Sequence, residues 1–200
     1  MATVEALEWL YYKGKKELEK KEYDSARLRF QKILNMTREK KWIERANAML
    51  ASVYLAEDNY FWAMDHIHRA LKRNPYHAPH RYIKAKIHMA RKEWERAANE
   101  ALKAVEENLD NSSYYRLLGK ASYHCEGYTT ARRFLEWALE CEPDSAEIMQ
   151  DLARLEVAET NFQRALNILK QALKLTNPVE SEKIRKRIRI IQENWKITGS

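Results

Sequence analysis

Residues 127–131 read Gly127-Tyr128-Thr129-Thr130-Ala131, and a segment of the same kind occurs four more times in the chain of 200 residues. Each segment has a polar or glycine turn residue, an aromatic residue, two variable positions and an alanine. The alanines are 37, 34, 34 and 34 residues apart, at Ala26, Ala63, Ala97, Ala131 and Ala165. So regular a spacing identifies a repeat protein.

A second set of small residues stands twelve positions before these alanines, at Gly14, Ala51, Ala85, Gly119 and Ala153. Small side chains at both places allow two helices to approach closely, and the aromatic residue is expected to fill the gap between them. Pro75, Pro143 and Pro178 are expected to end the second helix of a repeat. One such hairpin cannot bury its own apolar face, so the sequence predicts that the hairpins stack.

This pattern resembles the tetratricopeptide repeat (TPR), through Tyr115, Leu118, Gly119, Tyr123, Gly127, Tyr128, Ala131, Ala138 and Pro143. The resemblance implies an all-α protein, a right-handed α-solenoid of about five TPR repeats in a single domain over residues 1–200. The expected repeats are 7–40, 44–77, 78–111, 112–145 and 146–178. Three extra residues between the first two repeats predict a longer loop near residues 35–41. Apolar residues at helical spacing predict a capping helix over 179–196, through Ile184, Ile188, Ile191 and Trp195.

In TPR proteins the first helix of each repeat lines a concave groove, and the resemblance implies the same arrangement here. The ninth position of each repeat is then Lys15, Ser52, Lys86, Lys120 or Arg154, so four of the five are basic. Neighbouring groove positions are Tyr11, Leu55, Tyr82, Met89, Arg116, Tyr123 and Gln150. Cations flanked by aromatic and methionine side chains suit an acidic, amphipathic segment of another protein. We therefore expect a non-catalytic scaffold or adaptor that binds such a peptide segment.

Two simpler interpretations of the same residues stay open. Exposed helix positions are often Lys or Arg for solubility alone, and Tyr or Met at helical spacing can pack between repeats. For Tyr12, Met49, Ile83 and Leu117 we favour packing over ligand contact. TPR proteins that bind acidic chaperone tails use a carboxylate clamp that includes asparagines, and no groove position here carries Asn. Chaperone-tail binding is therefore not expected.

Catalysis and metal binding have little support in the sequence. There is no glycine-rich phosphate loop, no nucleophile elbow and no zinc-protease motif. His66 and His68 point to different sides of a helix, and Cys125 is expected to be a buried thiol. His77 and His80 lie in a turn and could chelate weakly, but no cysteine or carboxylate stands nearby in sequence at ligand spacing. We expect no enzyme, no cofactor and no metal site.

The remaining expectations concern charge and location. With 36 Lys+Arg and 29 Asp+Glu the formal net charge is +7, which favours acidic partners and keeps RNA binding by the basic groove and terminal helix as the alternative function. Acids on the inner surface argue against it. Phe61 and Trp62 stand at usually polar positions and could support a homodimer. No signal peptide or membrane span is recognisable and the two cysteines form no Cys-x-x-Cys pair, so a cytoplasmic location is expected.

Overall fold

The computed structural model describes residues 3–198, and this part of the chain contains eleven α-helices and no strand. The helices form five hairpins in which the second helix follows the first after two or three residues, and a single helix follows the fifth hairpin. In chain order they are α1 (Val4–Glu19), α2 (Tyr23–Met36), α3 (Lys40–Ala56), α4 (Tyr60–Arg73), α5 (Ala78–Ala90), α6 (Trp94–Glu107), α7 (Ser112–Cys125), α8 (Tyr128–Cys141), α9 (Ala146–Ala158), α10 (Phe162–Lys174) and α11 (Pro178–Thr198).

Two compact units divide the chain between Asn108 and Leu109. Unit one holds α1 to α6, where each helix packs on its hairpin partner and α2 and α4 also pack on the first helix of the following hairpin. Unit two holds α7 to α11, where α8 packs on α9 and α10 packs on α11 in the same way. The organisation of residues 1–200 as one domain stays a prediction.

The small residues lie where the helices of each hairpin approach most closely. All five repeat alanines are fully buried. A Cβ atom added to Gly14 would come within 2.8 Å of Cζ of Phe30, and one added to Gly119 within 2.9 Å of Cγ of Leu135. At these two positions a larger residue fits only if the facing side chain of Phe30 or Leu135 moves, so the close approach predicted from the sequence is confirmed.

One backbone hydrogen bond recurs in the turn of all five hairpins. The residue before the aromatic one donates its backbone N–H to a carbonyl oxygen five positions earlier, a bond that closes the end of the first helix. In four turns the residue before the donor has a φ near +60°, although none of the four is glycine. The bonds measure 2.8–3.0 Å and join Glu22 to Glu17, Asn59 to Tyr54, Glu93 to His88, Gly127 to Ser122 and Asn161 to Glu156.

Two details differ from the sequence-based predictions. The prediction of a longer loop between the first two repeats is wrong. Helix α2 ends at Met36 and α3 begins at Lys40, so the connection is as short as the others. The extra residues instead lengthen α3, which has 17 residues, at its N-terminal end. The aromatic plug is half-buried in four hairpins, but Tyr128 is 38% exposed. This ring lies edge-on against Tyr123 rather than under the next helix.

The terminal helix α11 covers the last hairpin as predicted. Ile184 and Ile191 are buried in a cluster with Leu166, Leu169 and Met149, and Ile188 packs against it. Trp195 is 40% exposed and is not part of this cluster. The apolar stripe of α11 therefore serves as the outer wall of the fifth repeat, and only its last residue departs from the predicted pattern.

Candidate peptide-binding surface

The predicted groove positions of unit one lie on three neighbouring helices. α1 contacts α3 and α3 contacts α5, so the first helices of three successive repeats form a continuous row. Lys15 and Lys86 are both exposed, and Ser52 between them in sequence is half-buried. Ser52 donates its hydroxyl to the carbonyl oxygen of Ala48 at 3.2 Å, a bond within its own helix that leaves its oxygen available as an acceptor.

Among the side chains that the structure describes, the two lysines of this row have no acidic partner. Neither Lys15 nor Lys86 forms an ion pair with any side chain in the described part of the chain. The ammonium of Lys86 instead lies 5.6 Å from the ring centroid of Tyr82, at cation–π distance. Lys86 keeps an exposed surface, yet the protein around its ammonium removes enough water to lower the pKa of this group. An anion delivered by a partner would offset that loss of hydration.

Other cations of α5 are neutralised, which sets Lys86 apart. Arg81 and Lys84 both bind the carboxylate of Glu100 on α6, at 2.9 Å and 3.0 Å. Burial would raise the pKa of Glu100, but the hydrogen bond and charge of Lys84 hold it below its ordinary value. Arg81 and Lys84 are therefore structural cations, whereas Lys86 makes no ion pair with this carboxylate.

The apolar groove positions of unit one are only partly open. Leu55 packs against the core around Ile67, and Met89 and Tyr82 are half-buried. Tyr11 packs edge-on against Phe30 at 6.1 Å, and burial raises the pKa of its phenol, so it belongs mainly to the hairpin core. The apolar part of this surface is smaller than the sequence suggested.

The packing assigned to four other residues is confirmed for three of them. Met49 and Ile83 pack against buried clusters, and Leu117 is 9% exposed. The packing prediction for Tyr12 is wrong. Its side chain is 63% exposed on α1, because the helix turns it away from the side that packs on α2 and α3. Trp9 on the same helix is 58% exposed. Sequence analysis missed Trp9, although its spacing of three from Tyr12 indicates a shared helix face.

In unit two, two of the predicted groove cations have carboxylate partners within the protein. The carboxylate of Asp151 on α9 binds Nε of Arg116 on α7 at 2.5 Å and a guanidinium nitrogen of Arg154 at 2.7 Å. Arg116 also pairs with Glu147. Burial would lower the pKa of Arg116, but its hydrogen bond to Asp151 and the charges of Asp151 and Glu147 raise it above its ordinary value. Both arginines thus have a carboxylate partner in the protein, and the side chain of Arg154 is 56% exposed.

The other three groove predictions in unit two have separate environments. Gln150 is 6% exposed and bonds to Arg187 and Glu180 of α11, so the terminal helix covers it. Tyr123 is half-buried, with its ring centroid 5.3 Å from that of Tyr128. Lys120 is half-buried and forms no ion pair in the region the structure describes. Of the basic residues predicted for this unit, Lys120 alone lacks an internal carboxylate among the described residues.

Further predictions concern isolated residues. Cys125 is exposed rather than buried, and its thiol lies 3.4 Å from the carbonyl oxygen of Ala121, so the buried-thiol prediction is wrong. His66 is buried and His68 exposed, which confirms that they point to different sides. Among residues 3–198 no helix is long and apolar enough to cross a membrane.

Comparison with known proteins gives different results for the sequence and for the fold. No protein-family model matches the sequence, and no curated protein matches it. Solved structures do match. PilF of Pseudomonas aeruginosa superposes with a TM-score of 0.78 at 17% identity, and the match covers 97% of this chain and 92% of PilF. The TPR protein TTC0263 of Thermus thermophilus also gives 0.78, at 18% identity, over 93% of this chain and 98% of its own.

A third match is a chain of the APC/C hetero-tetramer Cut9-Hcn1, with a TM-score of 0.74 at 14% identity over 88% of this chain and 34% of that one. These matches share one fold, made of repeated helical hairpins. The chain therefore has the all-α TPR fold, with five helical hairpins and a terminal helix, as the repeat of 34 residues predicted.

Proposed function

We propose that this chain is a non-catalytic protein-interaction scaffold whose first helices bind an acidic, amphipathic segment of another protein. The fold supports a binding role, since repeat proteins of this kind present extended surfaces built from equivalent helices. One structural neighbour, Cut9-Hcn1, is a hetero-tetramer of two different proteins. The fold alone does not select a partner, so the chemistry of the partner is inferred from the side chains.

The observation that carries the proposal is the state of three lysines at equivalent repeat positions. Lys15, Lys86 and Lys120 make no ion pair within residues 3–195, whose side chains the structure describes, while nearby arginines are bound by carboxylates. A lysine that is neither neutralised nor fully hydrated, as Lys86 is, gains the most from a carboxylate of a partner. Tyr82 and Met89 beside it supply apolar area for the non-acidic side chains of the same segment.

The test uses a displayed library of random peptides, selected on the full chain. Peptides that bind should be enriched in Asp and Glu with interspersed large apolar residues. The triple variant Lys15→Glu, Lys86→Glu and Lys120→Glu should lose this enrichment. A control with equal charge change carries Lys32→Glu, Lys72→Glu and Lys170→Glu, which lie on second helices and are exposed. This control should select the same acidic peptides as the unmodified chain.

Two results would contradict the proposal. Selection of peptides without acidic residues would refute the assigned partner chemistry. Loss of binding in the control as well as in the triple variant would mean that net charge, not the first helices, governs binding. Tight, steeply salt-dependent binding of single-stranded RNA would favour the nucleic-acid alternative instead.

The location and the oligomeric state are lesser proposals. We infer a cytoplasmic location from two cysteines that form no disulfide with each other. A homodimer through Phe61 and Trp62 is supported by their exposure, which is 74% and 45%. Sedimentation equilibrium of the chain and of Phe61→Ser would test the dimer, which predicts a concentration-dependent mass only in the former.

A further inference from the structure

Three potential metal ligands meet between the second and third repeats, within unit one. They are Glu44 near the start of α3 and His77 and His80 at the start of α5, and one ligand atom of each lies within 4.8 Å of the other two. His77 is the residue at which α5 is capped, and His80 follows one helical turn later. α3 packs directly against α5, which brings the carboxylate to the two imidazoles. Sequence separation hides this carboxylate from motif analysis.

The hydrogen bonding of this cluster, hereafter the Glu44–His77–His80 cluster, is incomplete. Nε2 of His80 lies 2.9 Å from Oε1 of Glu44, but Nδ1 of His80 and Nδ1 of His77 are buried and have no hydrogen-bond partner. The side chain of His80 is only 5% exposed and that of Glu44 is 17% exposed. Buried polar nitrogens normally have a partner, because an orphaned one costs free energy. Two in one cluster require an explanation.

The positions of the rings make a shared cation a suitable explanation. The ring centroids of His77 and His80 are 3.9 Å apart with 41° between their planes, so the two imidazoles lie close enough to bind the same ion. Burial lowers the pKa of His80 below its ordinary value, the charge of His77 lowers it further, and Glu44 opposes both. This direction favours the neutral imidazole, which is the form that binds metal ions.

We propose that Glu44, His77 and His80 form a binding site for a divalent transition-metal ion of the zinc class. Imidazole nitrogens with one carboxylate oxygen favour Zn²⁺, Co²⁺, Ni²⁺ or Cu²⁺ over the hard cations Mg²⁺ and Ca²⁺. Three protein ligands leave the fourth tetrahedral position to water. Ligand bonds of about 2.1 Å place tetrahedral ligand atoms about 3.4 Å apart, so the side chains rotate inward when the ion binds.

The ion would act as a cross-link between two repeats. Glu44 belongs to the second hairpin, whereas His77 and His80 begin the third, so one ion would add a coordination link to the hydrogen bond between Glu44 and His80. A metal that binds the folded but not the unfolded chain stabilises the fold. The site uses none of the residues predicted for the peptide surface, and neither proposal depends on the other.

The direct test is isothermal titration of ZnCl₂ into the full chain, prepared without a polyhistidine tag. The site predicts one ion per chain and a zinc-dependent rise in the melting temperature. His77→Ala and Glu44→Gln should each weaken zinc binding at least about tenfold, because loss of a ligand costs no less than loss of a residue that merely supports one. Both changes avoid the most buried member, His80. Circular dichroism without zinc would verify that the variants fold.

The matched control is His124→Ala, which removes an exposed histidine of unit two. It should leave zinc affinity and the melting-temperature rise unchanged. Substitution of Co²⁺ should give the visible absorption bands of tetrahedral coordination in the unmodified chain and not in Glu44→Gln. If the chain binds no zinc, or if His77→Ala and Glu44→Gln bind it as tightly as the unmodified chain does, the site does not exist.

Discussion

The predicted groove cations of unit one and unit two have the same charge but different roles. In unit one, Lys15 and Lys86 make no ion pair among the described side chains, and Lys86 lies against Tyr82. In unit two, Arg116 and Arg154 share the carboxylate of Asp151, whose side chain is 4% exposed. In the proposed surface the two lysines of unit one therefore stay available to a partner, whereas the two arginines of unit two already have a carboxylate from their own or the next repeat.

The largest expected effect on stability concerns Glu156, an acid of unit two with a structural role. Its side chain is fully buried and binds Arg132 at 3.0 Å and Arg164 at 3.3 Å. Glu156→Ala should lower the free energy of unfolding by about 3–5 kcal/mol, because it leaves guanidinium groups without their buried partner. Urea denaturation followed by circular dichroism measures this loss.

Glu147 provides the matched control for that experiment. It also pairs with an arginine, Arg116, but its side chain is 72% exposed. Glu147→Ala should cost less than about 0.5 kcal/mol, as is usual for surface ion pairs. Equal losses for the two variants would mean that burial does not distinguish structural from available charges in this unit.

A second, smaller effect tests Asp151 itself. Asp151→Asn removes the charge that binds Arg116 and Arg154 while it preserves the size of the side chain. We expect a loss of about 1–3 kcal/mol in the free energy of unfolding, together with tighter binding of acidic peptides to the chain. Peptide titration at equal protein stability, reached by a lower temperature, checks the second expectation. Unchanged affinity would show that the freed arginines do not face the ligand.

The smallest expected effect is a pH dependence of the stability of unit one. His66 in unit one lies 2.9 Å from Oδ1 of Asn47 and stacks on Tyr54. Burial lowers its pKa below 6.5, the charge of Arg69 lowers it further, and Asp65 opposes them. As the pH falls from 6.5 towards the folded pKa, the unfolded chain binds the proton first, so the free energy of unfolding decreases.

This decrease should be no steeper than about 1.4 kcal/mol per pH unit for one proton. Amide hydrogen exchange of the full chain at pH 7 and pH 5.5 would detect it as lost protection in α3 and α4. His66→Gln should flatten the pH dependence in these helices. Equal pH dependence in the variant and the unmodified chain would assign the effect to other groups.

Much of the fold could be predicted from the sequence because it depends on local, repeated contacts. The alanine spacing identified every hairpin, and Gly14 and Gly119 marked two close helix contacts. The extra residues before Glu44 could not be assigned to a loop or a helix from spacing alone. Either choice preserves the repeat, and only packing of the first turn of α3, where Trp42 is 2% exposed, favours the longer helix.

The proposed binding surface was less predictable because part of it depends on contacts between repeats. Position within a repeat identified Lys86 and Arg154 equally, although Arg154 pairs with Asp151 three residues earlier on its own helix. Arg116 pairs with the same acid, which lies 35 positions away in the next repeat. Gln150 lies under α11, which no repeat pattern encodes. The Glu44–His77–His80 cluster could not be predicted for the same reason, since its carboxylate lies in a different hairpin from its histidines.

The most direct test of the account compares two single charge reversals in one binding assay. An acidic peptide selected on the full chain is labelled, and its dissociation constant is measured by fluorescence anisotropy for the unmodified chain, Lys86→Glu and Arg154→Glu. Lys86→Glu should weaken binding at least about tenfold, a change of about 1.4 kcal/mol, and Arg154→Glu less than about threefold. An equal or larger loss for Arg154→Glu would contradict the claim that the uncompensated lysines recognise the partner.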